Sequence, residues 1–222
     1  MRNAVILSVA LVIILFLTPA HRRAERGRGW HYDFEDVREG SLPAGWQVEA
    51  TRRRGPLATW QVVRDNAAPS GKHVLALTRT NHTSGSTFNL CWSPYIDFDD
   101  GEISVMLRAD AGEEDQGGGV IWRARNKDNY YIARYNPLED NFRIYYVKNG
   151  DRRMLASARL HLPAHRWIRM RIVVDGNCFT GYLDDIKYLE VHDNTFPRPG
   201  GVGVWVKADG KTSFDELVVT TR

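Results

Sequence analysis

Cysteine is scarce in this 222-residue chain, which holds only Cys91 and Cys178. With no Cys-x-x-Cys pair, the common zinc-cluster spacings are excluded. H-E-x-x-H is absent too, and the seven histidines (His21, His31, His73, His82, His161, His165 and His192) are scattered. His161 and His165 are four apart, but Pro163 between them works against a shared helical face. No G-x-x-x-x-G-K-[ST] pattern or following helix accompanies Gly117-Gly118-Gly119, so that run is not a phosphate loop. The G-x-S-x-G elbow of serine hydrolases is missing. So are the E-x-D-x-x-E and E-x-D-x-E strand motifs of retaining glucanases. An excess of one charge is lacking as well: 30 basic residues face 27 acidic ones, and much of the +3 balance lies in His21-Arg22-Arg23 and Arg26 to Arg28. That distribution gives no basic groove for a nucleic acid. Beyond the N-terminus almost nothing repeats with helical period, and no internal repeat suggests a propeller.

One long apolar run is present. Met1-Arg2-Asn3 precedes Ala4 to Leu17, and Thr18-Pro19-Ala20 offers a small residue for a signal peptidase. Export is the first expectation, because the run falls short of the ~20 apolar residues that span a bilayer. The arginines after the run outnumber the single Arg2 before it, and positive flanks stay cytoplasmic. An uncleaved N-terminal anchor is therefore the alternative, and it would be the route of any membrane attachment. The expected organisation is 1–20 as signal peptide or anchor, 21–29 as basic linker and 30–222 as one domain, a length common for single all-β domains. Export would permit a Cys91–Cys178 disulfide, worth roughly 4 kcal/mol in the chain-entropy model. Both cysteines also lie in apolar strand candidates, where a free thiol packs as a small hydrophobe. Both readings stay open.

Period-two alternation fills the rest of the chain. Strand patterns run through Trp30–Phe34, Trp46–Ala50, Trp60–Arg64, His73–Thr78, Phe88–Trp92 and Glu102–Leu107, where Ile103, Val105 and Leu107 alternate with Glu102, Ser104 and Met106. Three more occupy Gly117–Val147. Trp167–Val174, Cys178–Leu183, Tyr188–Val191, Gly201–Lys207 and Ser213–Thr220 complete the series. Asn149-Gly150 suits positive φ at both central positions of a type I′ turn. Asp175-Gly176 and Asp184-Asp185 are explained by turn chemistry rather than catalysis. Many short strands joined by turns predict an all-β, two-sheet antiparallel sandwich or jelly roll.

The chemistry concentrates in GGGVIWRARNKDNYYIARYNPLEDNFRIYYV, Gly117 to Val147. If its strands form the middle of a sheet, Arg123, Arg134 and Arg143 emerge on one face, with Lys207 beside them and Tyr145 and Trp205 as stacking platforms. Arginine binds a carboxylate in bidentate fashion and an aromatic ring covers the apolar face of a pyranose, so a carboxylated or oxidised sugar suits both. The competing reading is a solvated outer face whose arginines pair with Glu139 or Asp140. One β-bulge would reverse which residues share a side. Glu139 and Asp140 are the acid/base candidates, but glycoside hydrolysis needs two carboxyls on opposite sides of the bond, ~5–9 Å apart. A second carboxylate, Glu114 or Asp115, would have to join them. Calcium needs six to eight oxygen ligands, and Asp97, Asp99 and Asp100 are its only starting point. We assign no metal and no cofactor.

The order GGGVIWR, NYYIARYNP, NFRIYYV, then Tyr182-Leu183-Asp184-Asp185, Gly201-Val202-Gly203-Val204-Trp205 and Ser213-Phe214-Asp215-Glu216-Leu217 resembles the concanavalin A-like lectin/glucanase superfamily. Within it, the chain is similar to exported bacterial domains known as 3-keto-disaccharide hydrolases, which share their architecture with laminin G-type modules. The resemblance spans Trp30 to Arg222. It implies a jelly roll that handles sugars outside the cytoplasm and binds ligand on a concave sheet. Arg123 matches the family's glycine-apolar-arginine strand. Arg134 and Asn136 occupy the next strand, and Trp205 and Lys207 the late one, so Asn136 joins the expected ligand-binding set. The expected function is an exported carbohydrate-active domain that binds, and in the hydrolase reading cleaves, a glycoside. A non-catalytic carbohydrate-binding or adhesion module is the first alternative. A structural envelope protein is the second.

Overall fold

The computed structural model describes residues 29–80 and 85–222. The expected signal peptide or anchor and nearly all of the basic linker lie outside the described residues. In chain order the strands are β1 (Gly29–Tyr32), β2 (Gln47–Thr51), β3 (Thr59–Arg64), β4 (His73–Arg79), β5 (Phe88–Phe98) and β6 (Gly101–Ala111). Next come β7 (Gly118–Asn126), β8 (Asn129–Asn136), β9 (Asn141–Lys148), β10 (Asp151–Arg159) and β11 (Ile168–Asp175). The chain closes with β12 (Cys178–Leu183), β13 (Ile186–His192), β14 (Gly200–Lys207) and β15 (Lys211–Thr221). Among the described residues there is no helix.

Two antiparallel sheets result. One has the order β13-β12-β11-β6-β15-β4-β3, with β1 also pairing with β15; the other runs β10-β9-β8-β7-β14-β5-β2. Alternation in the sequence decides what lies between them. Ile103, Val105 and Leu107 of β6 are fully buried, while Glu102, Ser104 and Met106 are half-exposed. Val202, Val204 and Val206 of β14 point into the same inter-sheet core as Trp122, Phe142 and Phe214. Each such aliphatic or aromatic side chain contributes ~1.5–3 kcal/mol by leaving water.

The seven-stranded sheet is apolar on its other face as well. Phe88, Leu90, Ile121, Tyr130, Ile132 and Trp205 form a second buried cluster there. The Tyr130 hydroxyl accepts a hydrogen bond from Trp205 Nε1 at 3.1 Å and pairs with Thr51 Oγ1 at 2.9 Å, and Thr51 also donates to the Lys127 carbonyl. Thr51 ends an edge strand, whereas Tyr130 lies on β8, with β7, β14 and β5 between them. Strands ~4.8 Å apart in a flat sheet would hold these groups too far apart to bond. The sheet is therefore curled around the second cluster, and this is its concave face.

Turn chemistry follows the expected pattern. Asn149 and Gly150 both have positive φ, 52° and 82°, as do Asp184 and Asp185, 45° and 64°. The carboxylates at the second turn are thus turn residues. The return strand β10 after Asn149-Gly150 is an addition to the expected set; its exposed edge position leaves it few apolar residues. The Gly117–Gly119 run serves close approach, since a Cβ on Gly119 would lie 1.8 Å from the Ala133 carbonyl oxygen. Cys91 and Cys178 are both free thiols, the first buried and the second half-buried, so the packing reading holds and the disulfide does not form.

Candidate functional site

The concave face gathers charge where β8 and β9 pair. Residue parity on β8 sends Tyr131, Ala133 and Tyr135 into the inter-sheet core and Tyr130, Ile132 and Arg134 to the concave side. Arg134 pairs in register with Arg143 of β9. Like charges directly opposite each other destabilise a sheet unless something bridges them. Glu139, in the turn joining the two strands, does so: Oε1 lies 3.3 Å from Arg134 Nη2 and Oε2 lies 3.0 Å from Arg143 Nη1. Asn136 builds that turn, its Oδ1 accepting from the backbone N–H of Leu138 at 2.8 Å and of Glu139 at 3.1 Å. Burial pushes the Glu139 carboxyl up, but the Asn141 amide and the two guanidiniums override it and hold the carboxyl below its ordinary range.

Asp115 lies beneath. Both it and Arg134 are 1% exposed, and Arg134 Nη2 reaches its two oxygens at 3.1 and 3.2 Å. Lys207 Nζ donates to Asp115 Oδ2 at 2.7 Å, and Asn136 Nδ2 to Oδ1 at 3.2 Å. The loop carrying Asp115 is fixed by Asp209, whose carboxylate accepts the backbone N–H of Glu113 at 2.7 Å and of Asp115 at 2.9 Å. Desolvation raises the Asp115 pKa, against the pull of Arg134 and Lys207. The Tyr145 hydroxyl accepts from Arg134 Nη1 at 3.5 Å and Arg143 Nη1 at 3.4 Å. Across its ring lies Arg152 of β10, whose guanidinium also covers Phe88 and Trp205, 4.5, 5.0 and 6.0 Å from the three ring centres. Desolvation lowers the Arg152 pKa.

Arg134, Asn136, Arg143, Tyr145 and Lys207 therefore meet, with Glu139 and Asp115. Arg123 does not join them, which corrects the expected single row of three arginines. The β7–β8 register shifts between Trp122 and Asn126, and Arg123 itself has φ 47°. This bulge resets parity and turns the side chain toward the neighbouring sheet. There Arg123 Nη2 donates to the Gly176 carbonyl at 2.8 Å, and Nη1 to that of Phe196 at 3.1 Å. Its Nη2 also pairs with Asp99 at 3.0 Å and Asp100 at 3.2 Å. Two of the three acids considered for calcium thus hold Arg123. Trp205 faces the concave side as parity predicted, but it is 0% exposed, so it is a core ring rather than an open stacking platform. Asp140 turns away from Glu139 and pairs with His161 Nδ1 at 2.9 Å.

Arg152 is the member of this face that sequence reasoning missed. The signal for it was the Asn149-Gly150 turn, which implies a return strand whose second residue faces Val147. A separate cleft of ≈ 680 Å³ opens at the end of the sheet between Arg52, Arg53 and Leu57 on one side and Lys127, Asp128, Asn149 and Gly150 on the other.

No family model matches the chain. Levanase from Bacillus subtilis (strain 168) is 23% identical over 145 residues, which are 57% of this chain and 21% of that protein. The match thus spans well under half of the curated relative. Among solved structures, the carbohydrate-binding module CBM66 from Bacillus subtilis superposes with a TM-score of 0.60 at 19% identity, covering 78% of this chain and 93% of the module. Domain 4 of AbnA, a GH43 extracellular arabinanase from Geobacillus stearothermophilus, in complex with arabinotriose, gives 0.57 at 11% identity over 89% of this chain and 94% of that domain. These likenesses, at 19% and 11% identity, establish the fold alone, a two-sheet antiparallel β-sandwich of the jelly-roll kind.

Proposed function

We propose that this chain binds carbohydrate on its concave sheet, at the polar rim formed by Glu139, Arg143 and Lys207 over Arg134 and Tyr145. One observation carries the reading. A cross-strand arginine pair is held in place by a bridging carboxylate and a buried anchor, and its outer members keep their side chains 41% (Glu139) and 30% (Arg143) exposed. Fixed donors and acceptors over an aromatic floor are what a hydroxyl-rich ligand needs, because preorganised groups lose little freedom on binding. A carbohydrate-binding module and an arabinanase domain with bound arabinotriose share this fold, and a levanase shares part of the sequence, which supports the same ligand class. Export, implied by Met1 to Ala20, would bring such a site to extracellular or periplasmic glycans.

Hydrolysis of a 3-keto glycoside, which the family resemblance implies, has weaker support. Asp115 is sealed beneath Arg134 and Lys207 and cannot reach a scissile oxygen. Glu139 is committed to two guanidiniums and held ionised, which suits an acceptor of sugar hydroxyls better than a general acid. The test is calorimetric titration of the full chain with oligosaccharides of levan, arabinan and uronans and with ordinary and 3-keto disaccharides, followed by product analysis. The expected result is saturable binding of at least one oligosaccharide with no released sugar. Absence of binding across the panel would overturn the reading, and turnover would restore the enzyme.

A further inference from the structure

We propose that the sugar this site takes carries an acid group, a carboxylate or a sulfate ester, a refinement that rests on the carbohydrate-binding reading above. The first support is a charge imbalance. Arg134, Arg143, Arg152 and Lys207 converge around Tyr145 and Asp115, whereas Asp115 and Glu139 are the carboxylates that pair with this group. Asp151 on β10 pairs with Arg52 instead, and Glu49 lies on the far edge strand β2, where it accepts from Trp92 Nε1 at 2.9 Å. Cations therefore exceed anions in a partly desolvated cluster, where uncompensated charge is expensive.

The second support is independent of the count. Arg134 Nε and Arg152 Nη1 are buried and have no hydrogen-bond partner among the described residues. Arg134 is 1% exposed, so its missing bond is not supplied by bulk water. Most buried polar groups find a partner, and orphaned N–H groups on two guanidiniums that both contact Tyr145, one at its hydroxyl and one over its ring, mark where a partner belongs. A sugar hydroxyl would fill an empty bond but leave the charge excess. An acid group does both, accepting from guanidinium N–H groups in pairs and balancing the cations. The half-exposed Arg143 gives such a group its way in, next to the Tyr145 hydroxyl.

The test is calorimetric titration of the full chain with trigalacturonate, a sulfated galactan oligosaccharide, arabinotriose and a neutral levan oligosaccharide. We expect at least one acidic probe to bind about tenfold or more tighter than either neutral one, as befits charge-assisted hydrogen bonds. That affinity should fall as ionic strength rises through ~0.15 M, where the Debye length is about 8 Å. Arg143→Gln should collapse the ratio of acidic to neutral affinity, and Arg143→Lys should restore part of it. Preference for the uronate or for the sulfate identifies which acid the site is built for. Equal affinity for neutral and acidic probes, with no salt dependence, would overturn the acid-group inference and leave carbohydrate binding intact. Failure of every probe would remove both.

Discussion

Asp115 shows how the site is held together one residue at a time. Its carboxylate stands between Arg134 and Lys207 with almost no exposure. Removing one partner of a buried ion pair leaves the other uncompensated, so Asp115→Asn should lower stability by about 3–5 kcal/mol in a denaturant titration. Glu139 has the opposite balance, and its effect is one of pH. Its folded pKa is depressed below that of the unfolded chain, so its contribution is complete at neutral pH and is lost only as pH falls through the depressed folded value. Sugar affinity followed against pH should therefore persist through the ordinary glutamate range near ~4.3 and drop below it. Arg134, Arg143 and Lys207 were legible in the sequence because uninterrupted alternation fixes the face a strand residue occupies. Arg123 was not, because a bulge changes parity without any turn residue to announce it. For Trp205 the face was readable but the burial was not, since burial came from curling of the sheet.

At the scale of the element, β7 is where local sequence and function are most tightly coupled. Its glycines let β8 approach closely, and its bulge frees Arg123 to tie the sheet to the β11–β12 hairpin through the Gly176 carbonyl. Gly119→Ala would place a Cβ 1.8 Å from the Ala133 carbonyl oxygen, and backbone cannot swing aside as a side chain does. This substitution should lower folding stability by more than the ~1 kcal/mol typical of single changes, seen as a lower thermal midpoint, and weaken sugar binding by moving Arg134. Strands with a buried face and a wet face were readable from alternation, and turns from Asn-Gly and Asp-Asp. Strand β10 was harder, because an edge strand rich in arginine and nowhere fully buried carries little apolar signal. The second apolar face of the seven-stranded sheet was likewise hidden, since a strand buried on both sides loses the period-two contrast.

Over the whole molecule, one sheet serves two apolar clusters, the inter-sheet core and the concave one beneath the polar rim. The outer cluster gives the rim a rigid floor, and Trp205 is one of its two tryptophans, 0% exposed. Trp205→Ala should cost about 3–5 kcal/mol of folding stability, as large-to-small changes in cores do. Loss of sugar binding in that variant should track unfolding. The sandwich also keeps its thiols apart: Cys91 is buried with its pKa pushed up, and Cys178 is half-buried. Native alkylation followed by mass spectrometry should modify Cys178 before Cys91, with both reacting after unfolding. The most direct test of the central claim is a calorimetric comparison of the full chain with Arg143→Ala, titrated with the tightest-binding oligosaccharide. We predict at least a tenfold loss of affinity, about 1.4 kcal/mol, with the thermal midpoint nearly unchanged, since the Arg143 side chain is 30% exposed. Unaltered affinity in a folded Arg143→Ala protein would contradict the claim and move the sugar away from this face.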